Sequence, residues 1–319
     1  MQVKSFSFKV SDGTEIWMNR WIPDPDTEIK GIIQLHHGLA EHSLRYDRFG
    51  SILAENGYVL NAYDMRGHGK TAEIAESKGS GKFGKLADSN GFNRVVEDLN
   101  EIISDVKKEY EGKPVVLFGH SFGSFVSQGF IEKYSNNIDA CVLCGTAGPR
   151  RALIGFGSLA VNITKAIRGK NTIVPLLDKL AFGSYNNRIK EMKTDHDWLS
   201  RNELNVSMYM SDNWCNIPLT ASFFSDMMAG LKMIHKSSNM KKIRKDLPVF
   251  FIYGEEDPVG DYGKTVQALC SIYKANGLKE VQLKSYPEDR HEILNELDRE
   301  IVEKDVLDWI NNTLTNIQK

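Results

Sequence analysis

Nowhere in its 319 residues does the chain stay apolar for the roughly 20 residues that a bilayer-spanning helix needs. Its start joins no basic flank to an apolar core either: "MQVKSFSFKV" alternates, as an edge strand does. Forty basic side chains against 42 acidic ones leave a formal charge of −2, which gives nucleic acid no electrostatic footprint to bind. Cysteine is scarce, with only Cys141, Cys144, Cys215 and Cys270. The first two form a C-x-x-C inside the strand-like run "IDACVLCG", and the second pair that a zinc site would want is missing. These thiols read as packed core in a reducing, cytoplasmic setting. A phosphate loop is excluded as well. In "SKGSGKFGK" the first glycine of that pattern would fall at position 76, which is Glu76, and Phe83 replaces the hydroxyl residue. The basic stretch Met240 to Asp246 reads as a solvated helix end or linker.

What remains is an ordinary globular composition, 41% hydrophobic and 26% charged, with a regular beat. Two strands, "KSFSFKV" and "TEIWMNRWI", are joined by the turn Ser11-Asp12-Gly13. Apolar runs at 31–37, 58–64, 114–119, 138–145, 248–254 and 281–287 then alternate with helical stretches. One helix is expected from about Ser43 to Asn56. Another carries Val95, Leu99, Ile102, Ile103 and Val106 at helical spacing. Continuous Val/Ile/Phe-rich runs mark strands covered on both faces. The expectation is an α/β fold with a mostly parallel sheet of about eight strands and helices on both sides. Residues 146–245 contain no convincing strand and read as a helical lobe inserted into a core made of 1–145 and 246–319. Within it, Phe223, Met227 and Leu231 are spaced four apart; they pack on the core or form an adaptable wall for an acyl chain.

The chemistry centres on Gly119-His120-Ser121-Phe122-Gly123, a G-x-S-x-G. The pattern alone is permissive, but here it follows a strand directly and opens a helix, the setting of a nucleophile elbow. The helix N-terminus places partial positive charge where an oxyanion would develop. A serine hydroxyl needs an imidazole to take its proton and a carboxylate to orient that imidazole. On such an elbow the acid and then the histidine follow the serine in chain order. "FFIYGEEDPVGD" offers Glu255, Glu256, Asp257 and Asp261, with Asp257 favoured because Pro258 fixes the loop beside it. "YPEDRHEILNE" supplies His291 just past the last strand. His196 and His235 fall in the lobe, while His68 and His120 precede the acid. The strand ending in His36-His37-Gly38 supplies a second backbone donor, the N–H of Leu39, opposite that of Phe122, with Gly38 allowing close approach. His36 and His37 lack the partners a metal site would need, so neither metal nor cofactor is expected.

These pieces together resemble the α/β-hydrolase superfamily, in particular its monoacylglycerol lipase and lysophospholipase-like branch. The likeness rests on "HHGLAEHSLRY", "YDMRGHGKT", "GHSFGS", "GEEDPVGDYGK" and "DRHEILNE", and it reaches into the lobe at "DWLSRNE". It implies an inserted helical cap, Ser121, Asp257 and His291 as a catalytic triad, and Leu39 and Phe122 as oxyanion donors. It implies that Glu41, His42 and the segment Asp64 to Gly69 support loops, with Arg66 and His68 at most behind the chemistry. Ser124 stands where many members carry glycine. The expected activity is hydrolysis of carboxylic esters with a lipid-like acyl group, with Gly38, Phe223 and Met227 touching the substrate. Contact of the cap with a membrane or micelle surface is a further expectation. A peptidase or thioesterase using the same residues, a haloperoxidase-type side activity and a non-catalytic scaffold are the alternatives.

Overall fold

The apolar runs become one sheet. In the computed structural model, which describes residues 1–317, eight strands pair: β1 (Gln2–Lys9), β2 (Glu15–Ile22), β3 (Gly31–His36), β4 (Tyr58–Asp64), β5 (Val115–His120), β6 (Ala140–Cys144), β7 (Val249–Gly254) and β8 (Val281–Tyr286). Their spatial order is β1-β2-β4-β3-β5-β6-β7-β8. β2 runs antiparallel to both its neighbours, and every later pairing is parallel. Helices α1 (Asp47–Glu55), α2 (Gly69–Ser77), α3 (Gly91–Glu109) and α4 (Phe122–Tyr134) make the early crossovers. Between β6 and β7 lie α5 (Arg151–Arg168), α6 (Pro175–Phe182), α7 (Glu203–Ser211), α8 (Ala221–Ile234) and α9 (Ser237–Met240). Last come α10 (Lys264–Ala275) and α11 (Arg299–Ile317).

All six residues of β5 are buried, and the two-residue period of a strand explains how. Val115 and Leu117 join one apolar cluster with residues of α3, α4 and α10, while Val116 and Phe118 join another with α1 and α11. Cys141 and Cys144 divide in the same way, one into each cluster, so the C-x-x-C points to opposite faces and both thiols are free. The sequence expectation errs locally. Ser43–Tyr46 is a 3-10 turn leading into α1, and α2 forms where the sequence reading names no helix. Among the described residues no helix is long and apolar enough to cross a membrane.

The segment between β6 and β7 holds the five helices α5 to α9 joined by turns and irregular chain, with an isolated bridge between Ile173 and Thr220. It is not uniform. Phe223, Phe224, Met227 and Ile234 of α8 are buried in the same cluster as α3 and α4. By contrast α5 and α6 turn Leu153, Phe156, Leu159, Ile163, Ile167, Leu176 and Leu180 outward, with Phe156 76% and Ile167 73% exposed.

The far end of α4 holds Glu132, buried and with one carboxyl oxygen unpartnered. Burial pushes its carboxyl up to about 9, against a weaker pull from Lys242. The folded-state value lies above the unfolded one. The acid is therefore harmless below the ordinary carboxyl range, and its cost grows as pH rises until about 9. Glu132→Gln is expected to stabilise the fold by about 2–3 kcal/mol at pH 7 and by nothing at pH 4. Urea unfolding at the two pH values checks this.

Candidate active site

β5 ends at His120, and Ser121 follows with φ 53° and ψ −121°, a strained conformation for a residue with a Cβ. Its N–H donates to the Cys144 carbonyl at 2.9 Å, which ties the turn to β6. The flanking glycines act against other groups than the serine. A Cβ on Gly123 would stand 2.1 Å from the His36 carbonyl oxygen, and one on Gly119 would meet Ser127 Oγ at 2.3 Å. Glycine here lets α4 pass directly under the end of β3. Ser124, the departure from the family pattern, is used: its hydroxyl donates to the Ser121 carbonyl at 2.6 Å.

The structure brings the three separated segments together. His291 Nε2 lies 2.8 Å from Ser121 Oγ, and its Nδ1 lies 2.9 Å from Asp257 Oδ2. A carboxylate only accepts, so Nδ1 carries the proton and Nε2 is left to accept from the serine hydroxyl. Asp257 is fully buried, and its other oxygen accepts the Val259 N–H at 2.8 Å. The rival acids lie elsewhere. Glu255 and Glu256 are exposed, and Asp261 pairs with Arg150.

Leu39 follows Gly38 in the loop after β3, and its N–H makes no hydrogen bond within the protein among the described residues. A Cβ on Gly38 would come 3.0 Å from the Ser121 Cβ, which fixes how closely this loop approaches the hydroxyl. Phe122 opens α4, so its N–H has no acceptor within the helix. His291 Nε2 thus offers Ser121 Oγ a proton acceptor, and the N–H groups of Leu39 and Phe122 have no acceptor among the described residues.

His36, His37 and His68 are buried behind the site. His37 accepts the Met65 N–H at 2.9 Å, and its ring lies 5.7 Å from that of His68. Burial holds His36 and His68 down at about 4 and His37 well below its ordinary value, so all three are neutral. Arg66 bonds Asp98 and Asp12, bracing the exit of β4 against α3 and the first turn. Two clusters have ligand-type side chains. Arg201 pairs with all three acids of the cluster Asp289, Glu296 and Asp298. In the other, His42 and Asp212 bond one another at 2.9 Å beside Cys215, whose thiol burial pushes up.

Phe223 and Met227 are both buried, and the Phe223 ring lies 5.3 Å from that of Phe122 and 5.8 Å from His68. Sequence reasoning misses their continuation. From Phe223 the aromatic contacts run to Phe224, Phe182 and then Trp198, whose ring lies 5.1 Å from His291. Tyr185 packs on Trp198 at 4.9 Å. An aromatic belt thus leads from Phe122 to His291, and no periodicity announces Trp198, on a single 3-10 turn, or Phe182, at the end of the short helix α6.

Residues 27–298 match a family model described as serine aminopeptidase, S33. A monoacylglycerol lipase of Mycolicibacterium smegmatis is 27% identical over 307 residues, covering 95% of this chain and 95% of its own. A highly thermostable carboxyl esterase from Bacillus coagulans, solved with glycerol, superposes with a TM-score of 0.89 at 28% identity over 98% of this chain and 99% of that one. A lipase in an open form gives 0.86 at 25% identity, with the same coverage.

Proposed function

The chain belongs to the α/β-hydrolase family described as serine aminopeptidase, S33, and from that premise we propose that it hydrolyses carboxylic esters of lipid-like acids, of monoacylglycerol or lysophospholipid type, through an acyl-enzyme on Ser121. The observation that carries the reading is the chain of contacts Ser121 Oγ–His291 Nε2 at 2.8 Å and His291 Nδ1–Asp257 Oδ2 at 2.9 Å. As Ser121 Oγ attacks the ester carbonyl, His291 takes its proton, and Asp257 holds and stabilises the charged ring. The Leu39 and Phe122 N–H groups receive the oxyanion. The bond to the alcohol then breaks, with the proton passing from His291 to the leaving oxygen. Water, deprotonated by the same ring, attacks the acyl carbon and releases the acid and Ser121.

Residues 146–245 serve on this reading as the cap. Gly38 flanks the reacting carbonyl, and Phe223 and Met227 back the acyl side. The outward apolar face of α5 and α6, bordered by Arg150, Arg151, Lys165 and Arg168, suits contact with an aggregated lipid surface. Four unpaired cysteines fit a reducing compartment. The family description also keeps amide cleavage in view, and esters are favoured by the aromatic belt and by the esterase and lipase relatives.

One panel tests both parts. Turnover of p-nitrophenyl esters from acetyl to long acyl is expected to peak at long chains and to exceed that of amino-acyl arylamides. Replacing Phe156 and Ile167 by serine is expected to lower the rate on dispersed monoacylglycerol about tenfold or more, with the soluble short ester unaffected. A preference for acetyl esters or arylamides refutes the lipid reading.

A further inference from the structure

Glu41 lies where the loop after β3, the elbow and the histidine loop meet, and it is only 2% exposed. Its Oε1 accepts the Gly38 N–H at 2.5 Å and the Tyr46 hydroxyl at 2.9 Å, with His120 Nδ1 at 3.2 Å. Its Oε2 accepts from Arg45 Nη1 at 2.8 Å. Arg45 in turn grips both oxygens of Glu292, the neighbour of His291, at 2.6 and 2.7 Å, and reaches Asn205 of α7 at 3.1 Å.

Proton counting defines the state of this cluster. The Tyr46 hydroxyl spends its proton on Glu41, so at 2.9 Å from His120 Nδ1 it can only accept. His120 Nε2 faces the His291 carbonyl oxygen at 3.3 Å. Both ring nitrogens therefore donate, and His120 is an imidazolium. Burial opposes that charge, and the hydrogen bond and charge of Glu41 outweigh it. For Glu41 burial again pushes the wrong way, and the bond from His120 with the charges of Arg45 and His120 hold the carboxyl well below its usual range. Two carboxylates thus balance a guanidinium and an imidazolium in a buried, hydrogen-bonded group.

Taking the assignment of Leu39 above as given, we propose that Glu41 is the positioning residue of the oxyanion hole: its carboxylate pins the Gly38 N–H, so that the next N–H, that of Leu39, faces Ser121. The restraint is close, because a Cβ on Gly38 would meet Glu41 Oε1 at 2.6 Å and the Ser121 Cβ at 3.0 Å. It is also needed. Ala40, one residue further, has φ 53°, and its carbonyl accepts the Asn216 N–H at 2.9 Å. A loop carrying such strain holds its shape only when fixed on both sides, by Glu41 within the core and by Asn216 from the segment beyond α7. Preorganised donors stabilise the transition state more than the bound ester, so the effect belongs in kcat.

Glu41→Gln keeps the size of the side chain but turns an amide N–H₂ toward Arg45 or the Gly38 N–H, both of which donate. Its kcat on a p-nitrophenyl ester is expected to fall about 10²–10³-fold, with KM unchanged within about twofold. Affinity for a trifluoromethyl ketone, whose adduct with Ser121 carries an oxyanion, is expected to fall in parallel with kcat/KM. A structural role alone would not produce that proportionality. An unchanged kcat, a rise in KM alone, or full affinity for the ketone overturns the proposal. Should Glu41→Gln fail to fold, Tyr46→Phe removes one donor to the carboxylate and is expected to lower kcat about fivefold; an undiminished kcat there refutes the idea equally. Ser121→Ala runs alongside. If it stays active, the reading of the site has failed; if it is dead while Glu41→Gln is normal, only the role of Glu41 has failed.

Discussion

Ser121→Ala is expected to lower kcat on p-nitrophenyl esters by about 10⁴–10⁶-fold and to abolish labelling by a fluorophosphonate. The substitution removes one oxygen and little else. Alanine carries the same Cβ at the same φ of 53°, so the strain of the turn, the bond from its N–H to the Cys144 carbonyl and the start of α4 all persist. The imidazole loses its 2.8 Å partner but keeps its bond to Asp257. Loss of activity with an unchanged unfolding curve therefore isolates the nucleophile. Retention of most turnover would falsify the assignment, whatever the fold.

The second large effect separates orientation from shape. In Asp257→Asn the volume is kept, yet kcat is expected to fall about 10⁴-fold. The Val259 N–H at 2.8 Å holds the amide oxygen of the new side chain, which turns its N–H₂ toward His291 Nδ1. Nδ1 must then accept, the ring proton moves to Nε2, and Ser121 Oγ faces a donor where it needs an acceptor. Because binding contacts are unaltered, KM is expected to change little. A loss smaller than about tenfold at pH 8 would remove Asp257 from this role.

How far the sequence carried the reading depends on the element. Strands were legible because a parallel strand buried on both faces is mostly apolar: "YVLNAYD" and β4 share both ends, and the expectation for β3 exceeds the strand by one residue. The elbow was legible because a tight strand-to-helix turn demands its glycines, although the reason is the passage of α4 beneath the end of β3. Among the four acids in one short loop, spacing alone left a choice, and burial against His291 made it: Asp257 is enclosed while its neighbours face water or Arg150. The insertion was the least legible part. Trp198, Phe182 and Tyr185 reach the site through ring contacts between distant short elements, and α2 is a nine-residue helix with Ile74 as its one large apolar side chain, too little to show a helical period. Of the cluster around Glu41 only Glu41 itself was singled out, through the likeness, since four charges spread along the chain carry no pattern until the fold gathers them.

The insertion is stitched to the histidine loop through main chain. The His291 N–H donates to the Trp198 carbonyl at 3.4 Å and the Glu292 N–H to the Leu199 carbonyl at 2.7 Å, so His291 hangs partly from the insertion. That stretch cannot swing away without breaking both bonds. By contrast α5 and α6 make no main-chain hydrogen bond to the histidine loop among the described residues, so displacing them leaves both of those bonds intact.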